Sequence, residues 1–140
     1  MIKFIVSGKP QGKARPRFRK IGNYVSTYNP KQTTEYEKLV KLSAIEQCKD
    51  QLNKEYIGLV KMSIKAYFKP NKSISKKQHN LLIGTEHLKK PDSDNIAKII
   101  CDSLNGIAYK DDSQVAYLEI EKYYAEEEGV EVIIEYGNNN

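Results

Sequence analysis

The residues of this chain best suited to chemistry lie between Pro91 and Gln114, in the stretch PDSDNIAKIICDSLNGIAYKDDSQ. Five aspartates, Asp92, Asp94, Asp102, Asp111 and Asp112, surround a central lysine, Lys98, and a short apolar run. Carboxylates gathered in one site repel and raise each other's pKa, which weakens the fold unless a cation sits among them. Donors that are all carboxylate oxygen suit hard ions, Mg²⁺ above all, with Mn²⁺ as its substitute. Such an ion keeps several waters and leaves room for a phosphate oxygen, so the composition points to metal-assisted phosphodiester hydrolysis. The Asp-x-Asp-Asn start also has the look of a calcium loop. That loop needs Gly at its sixth position and Glu at its twelfth, where Ala97 and Ser103 stand, and is thereby excluded.

The local sequence says which elements must carry these groups. Asp92 or Asp94 makes a good N-cap, because a carboxylate accepts hydrogen bonds from the first free N–H groups of a helix. The helix is predicted to run to about Asn105, where Asn-Gly supplies a left-handed stop. With about 100° between successive residues, Ile96, Ile99, Ile100 and Leu104 share one face. Asp94, Lys98 and Asp102, spaced by four, line the other side. A loop from Gly106 to Lys110 leads to Asp111 and Asp112, and a strand begins just after them.

Charge is distributed unevenly along the chain. Residues 1–90 hold 20 Lys and Arg against 6 Asp and Glu, whereas residues 91–140 hold 3 against 12, within an overall net charge of +5. A basic first part that attracts phosphates and an acidic last part that holds a cation are what a metal-dependent nuclease needs. At 140 residues and 39% apolar content the chain suits one domain, residues 1–140, with a real core. No run approaches the roughly 18–20 apolar residues of a membrane span, and MIKFIVSGKP reads as a first strand instead of a secretory signal. Cys48 and Cys101 are too few and too far apart for a disulfide framework or zinc knuckle, and read as reduced thiols of a cytoplasmic protein.

Ile2–Val6 is a short strand ended by Gly8 and Pro10. Gly8–Asn23 reads as a basic loop in which Lys13, Arg15, Arg17 and Arg19 fall on one side if the chain is extended. Arginines so arrayed can clasp phosphates bidentately, and Phe18 and Tyr24 beside them can stack on an unpaired base. These four cations are therefore the candidate DNA-binding residues. Tyr28-Asn29-Pro30 turns into a helix over 31–51, with Leu39, Leu42, Ile45 and Leu52 on its apolar side, Tyr36 and Val40 alongside, and Glu35, Glu37, Lys38 and Lys41 solvated. Tyr56–Phe68 alternates as a half-buried strand. A short helix is expected over Ser75–Leu82, and His79 and His87 read as surface histidines without metal-ligand spacing. Val115–Tyr124 and Val130–Tyr136 read as a hairpin around Glu126–Gly129, with Val115, Tyr117, Ile120, Tyr123, Val132 and Ile134 packing, and Asn138–Asn140 as a frayed end.

The pattern PDxDNxxKxxxDxLNGxxYKDDSQ resembles the signature of the RusA family of Holliday-junction resolvases, Mg²⁺-dependent endonucleases common in prophages. GKARPRF (Gly12–Phe18) and Tyr28-Asn29-Pro30 resemble the Gram-positive and phage branch of the same family. The resemblance implies an α+β fold, a small mixed sheet of about four strands with helices packed on it. It implies that Asp92, Asp94 and Asp112 hold Mg²⁺, with Asp111 the alternative within its pair, since neighbours on a strand point to opposite sides. Lys98 would stabilise charge on the transition state or orient the nucleophile. Each residue also admits a plain role: capping by Asp92, a salt bridge between Asp94 and Lys98, a turn at Asp111-Asp112. Asp102 is assigned to structure. The activity implied is resolution of four-way DNA junctions by paired symmetric nicks in recombination and repair, by a homodimer, since the substrate is two-fold symmetric. No membrane and no small-molecule cofactor are implied. The competing readings are a non-catalytic DNA-binding module and a nuclease for flaps or forks.

Overall fold

The computed structural model describes residues 1–137; the expectation for Asn138–Asn140 lies outside them. Six strands and three helices follow in the order β1 (Ile2–Ser7), β2 (Arg17–Ile21), β3 (Tyr24–Tyr28), α1 (Lys31–Cys48), β4 (Val60–Phe68), α2 (Lys76–Leu82), α3 (Ser93–Ser103), β5 (Val115–Tyr124) and β6 (Gly129–Tyr136). A single 3₁₀ turn, Asp112–Gln114, leads into β5. The α+β expectation holds: four strands form one mixed sheet in the order β1-β6-β4-β5, and β2 and β3 pair separately.

Strict alternation drives the sheet. Ile2, Phe4 and Val6 of β1, Met62, Ile64, Ala66 and Phe68 of β4, and Val130, Val132 and Ile134 of β6 are all buried on one face. Helices α1 and α3 cover that face, α1 over β1 and α3 toward β5. Ile96, Ile99, Ile100 and Leu104 are fully buried, as their shared helical face predicts. Each such side chain contributes about 1.5–3 kcal/mol, which fixes the rotation of α3 and turns Asp94 and Lys98 outward. Behind α3, the buried Tyr109 donates its hydroxyl to the Cys101 carbonyl at 2.7 Å, a second bond on a helix-end acceptor that also takes the Leu104 N–H at 3.3 Å.

Three expectations need correction. β5 and β6 do not pair as a hairpin: β4 lies between them, parallel to β5 and antiparallel to β6. Residues 125–128 carry the chain across the end of β4, where Ala125 N–H donates to the Phe68 carbonyl at 2.9 Å. The gap is two strand spacings, about 10 Å, which four residues span. Tyr117 and Tyr123 consequently stand on the face opposite the helices, where Tyr117 is 60% exposed.

The buried side of α1 is Thr33, Tyr36, Val40, Ser43, Ala44 and Cys48, whereas Leu39, Leu42 and Ile45 are exposed. Small residues let α1 approach the sheet closely, and Ser43 enters the core because its hydroxyl donates to the Leu39 carbonyl at 2.7 Å. Glu37, assigned to the solvated side, is only partly exposed and engages Lys13.

His87, read as a surface residue, is buried, stacked on Phe68 with ring centroids 3.7 Å apart. Among the described residues no helix is long and apolar enough to cross a membrane. Cys48 and Cys101 are both free and buried.

Candidate active site and nucleic-acid interface

The two ends of α3 present different chemistry. Asp92 occupies the N-cap backbone position, yet its side chain accepts no capping hydrogen bond, so its carboxylate stays free and exposed. Asp94 lies in the first turn, also exposed. Four residues on, about 6 Å along the axis, Lys98 is exposed and pairs with no carboxylate among the described residues. The Asp94–Lys98 salt bridge considered from the sequence does not form. A further turn brings Asp102, about 15 Å along the axis from Asp92.

Asp102 meets the other acidic pair. Asp111 and Asp112 follow the buried Tyr109 and take different tasks. The Asp111 carboxylate accepts the Ser113 N–H at 3.1 Å, while the Gln114 side-chain oxygen accepts the Asp111 N–H at 2.9 Å, a reciprocal cap. Hydrogen bonds from the Ser113 side chain and then its backbone N–H hold the Asp111 carboxyl below its ordinary pKa. Gln114 then ties the turn to the loop before β4, its amide donating to the carbonyls of Tyr56 at 2.8 Å and Gly58 at 3.0 Å. Asp112, left free of capping, points its carboxyl at Asp102. The hydrogen bond to Asp102, partial burial and the neighbouring charges of Asp102 and Asp111 raise the Asp112 pKa. Burial first, and then the charges of Asp112 and Asp102, push the Cys101 thiol up to about 12, so that sulfur is an inert thiol.

The structure thus brings Asp102 and Asp112 together, with Lys98 one turn back along α3 and Asp92 and Asp94 beyond it. Among the described residues no three His, Cys, Asp or Glu side chains form a metal-holding group. Asp102 is the participant that sequence reasoning set aside. Its signal was the spacing of four that puts it in line with Asp94 and Lys98.

The basic segment divides. Lys13 turns inward: its ammonium lies 3.2 Å from Glu37 Oε2 and 3.5 Å from Asp102 Oδ2, with the three side chains 14%, 18% and 25% exposed. Its N–H donates to the Asn95 carbonyl on α3 at 2.9 Å. Gly12 is required beside it, because a Cβ there would come within 3.0 Å of Pro91 Cβ and Asn95 Cβ. Lys13 is therefore a strut between the segment, α1 and α3. Lys13→Ala should cost about 1–2 kcal/mol in urea unfolding, between the values for exposed and buried pairs, and Lys13→Arg should recover most of it.

Arg15, Arg17 and Arg19 are exposed. From Arg17 onward the segment is not a loop, as expected, but an antiparallel hairpin, Arg17 opposite Tyr28 and Arg19 opposite Ser26, turned at Gly22 with φ +60°. Arg17 and Arg19 share one face by strand alternation, and the Arg19 guanidinium lies 4.9 Å from the Tyr28 ring centroid. Phe18 and Tyr24 are 74% and 64% exposed, well beyond what a core side chain shows. An aromatic and cationic ribbon open on both sides can meet phosphates with its cations and bases with its rings.

Comparison with known proteins supplies the context for this geometry. Residues 7–135 match the family model described as endodeoxyribonuclease RusA, a span that includes the hairpin, α3 and the acidic turn. The chain belongs to the RusA family. A Bacillus subtilis (strain 168) protein, described as uncharacterized protein YqaN, is 36% identical over 140 residues, covering 95% of this chain and 94% of that protein. RusA membership implies an endodeoxyribonuclease that resolves Holliday junctions, acting on branched DNA. The acidic helix, the acidic turn and the basic hairpin are the parts on which such an activity would draw.

Proposed function

We propose that the chain is a Mg²⁺-dependent, structure-selective endodeoxyribonuclease that resolves four-way junctions by paired symmetric nicks, in recombination and repair. The observation that carries the reading is the close approach of Asp112 to Asp102 on the Lys98 side of α3. Two neighbouring carboxyls, the pKa of one raised by the other, gain from a cation placed between them. The donor set is carboxylate oxygen, and Mg²⁺ is commonly held by one or two carboxylates plus water and phosphate. The donor chemistry suits the ion, although among the described residues no three such side chains are gathered into one metal-holding group. Asp92, Asp94 and Asp112 are the proposed ligands, with Asp102 beside Asp112 and Asp111 committed to its cap; Mn²⁺ would substitute. Bound there, the ion would polarise the scissile phosphate and lower the pKa of a coordinated water.

The chain's own groups supply the rest. Lys98, unpaired and exposed, is free to place its ammonium against a phosphate oxygen as charge builds in the transition state. Arg15, Arg17 and Arg19 would grip the backbone, and Phe18 or Tyr24 would stack on bases unpaired at a branch point. Because a four-way junction has two-fold symmetry, two nicks call for two sites, hence a homodimer. Arg15→Ala and Arg17→Ala should each weaken junction binding and reduce the slope of log K against log salt by up to about one unit per lost phosphate contact. Unchanged slopes in an anisotropy titration would remove the hairpin from the interface.

A panel of labelled substrates tests the function: a four-way junction, a flap, a fork and a linear duplex, each in Mg²⁺. Paired nicks at symmetric positions in the junction, well above cutting of the others, are expected. Preference for flaps or forks would replace the resolvase reading with a different nuclease.

A further inference from the structure

A second basic surface lies apart from the hairpin. Three segments distant in sequence converge on one recess of about 450 Å³: Lys9 after β1, Lys69 and Lys72 after β4, and Lys89 and Lys90 before α3. All five lysines are exposed, and among the described residues none pairs with a carboxylate. Glu128 is the one acid in its lining. The wall is a packed aromatic cluster. The His87 ring is buried between Phe68, stacked at 3.7 Å, and Tyr124, edge-on at 5.0 Å, and the His87 backbone N–H donates to the Lys122 carbonyl at 3.0 Å. The Lys122 ammonium in turn donates to the Lys89 carbonyl at 2.6 Å, which fixes the segment carrying Lys89 and Lys90.

The positive field at this point is felt by the imidazole itself. Burial, and then the charges of Lys122, Lys89 and Lys9, lower the His87 pKa, and the rim around it is cationic. Five lysines without partners repel one another, a cost that an anion relieves. Lysine is a point-charge donor suited to phosphate. The position is equally informative. Lys90 precedes Asp92 by two residues, at most about 7 Å of extended chain, and DNA rises about 3.4 Å per nucleotide along each strand. The recess therefore lies within a few nucleotides of the acidic end of α3.

We propose that the recess is a phosphate subsite that holds the DNA backbone a few nucleotides from the scissile phosphate. The inference rests on the nuclease reading for the identity of the polyanion. It gives the protein two separated grips, the β2–β3 hairpin and the lysine recess, with the acidic site next to the second. Lysine contacts to phosphate carry no base information, so the subsite adds affinity and register without sequence preference.

The test uses the full chain in Ca²⁺ with a labelled four-way junction and a labelled linear duplex, each titrated over a series of NaCl concentrations. Lys69→Ala/Lys72→Ala should weaken binding to both DNAs and reduce the salt slope by about one to two units, close to 0.9 per lost phosphate contact. Lys38→Ala/Lys41→Ala, which removes the same charge from exposed positions on α1, should leave the slope unchanged. Equal losses in the two double variants would mean a general charge effect, and a wild-type slope in the recess variant would mean no contact; either overturns the subsite. Titration with pyrophosphate alone is the second arm. Pyrophosphate binding that the recess variant abolishes, with its DNA slope intact, would make the recess a site for free phosphates and overturn the proposal. If wild type cuts no branched DNA in Mg²⁺ yet the recess variant loses slope, the nuclease reading fails and the subsite stands. Normal cutting by wild type with an unaltered slope in the variant gives the reverse.

Discussion

Asp112→Asn is expected to lower junction cleavage by at least about 10³-fold while leaving junction binding intact or tighter. A positioned divalent cation contributes several kcal/mol to the transition state, and each 1.4 kcal/mol is about a factor of ten. Asparagine keeps the shape of the side chain but removes the charge that would hold the ion. It also removes a negative charge from the surface that receives phosphate, so affinity should not fall. Asp94→Asn should behave the same way. Wild-type rates in either variant would withdraw that residue from the metal site.

A second readout of Asp112→Asn needs no substrate. The folded-state pKa of Asp112 is raised by its hydrogen bond to Asp102. A raised carboxyl favours the fold below its unfolded pKa, and that contribution is lost as the pH rises through the folded value. Above that value the ionised Asp112 carboxylate therefore works against the fold. The metal-free Asp112→Asn protein should melt no lower than wild type at pH 8, and adding Mg²⁺ should raise its Tm less than it raises that of wild type.

Lys98→Ala should lower single-turnover cleavage by roughly 10²-fold or more, the usual scale for removing one preorganised donor from a transition state. Lys98 is exposed, with Asp94 and Asp102 each one turn away, and among the described residues no carboxylate pairs with it. Stability should accordingly change by under about 0.5 kcal/mol. Binding should also change little, because one phosphate contact among many is a small part of the total. Lys98→Arg should rescue only partly, since a planar guanidinium does not occupy the point of an ammonium. A folded Lys98→Ala protein that cuts normally would reject the catalytic role.

Particular elements show how far the sequence reaches. The period of α3 was legible because four large aliphatic residues fall on one helical face, and burial of that face settles which residues point outward. The sheet residues of β1 and β4 were legible for the same reason at a period of two. The position of β4 between β5 and β6 was not, because a hairpin and a split pair have the same alternation and differ only in long-range pairing. In α1, hydrophobicity pointed to Leu39, Leu42 and Ile45, while close packing selected Ser43 and Ala44. Partnerships formed across elements were equally hidden. Lys13 has the look of a phosphate ligand within its basic run, and only the fold sets it against Glu37 and Asp102. Asp102 lay in plain view on the Lys98 face, but its approach to Asp112 depends on how the turn after Tyr109 returns the chain.

The most direct measurement is cleavage of a synthetic four-way junction by the purified chain in Mg²⁺, in Ca²⁺ and in EDTA. The proposed site predicts two symmetric nicks in Mg²⁺, binding without cutting in Ca²⁺, which is larger and coordinates more loosely, and no cutting in EDTA. Undiminished cleavage in EDTA, or junction binding with no cleavage in either Mg²⁺ or Mn²⁺, would contradict it.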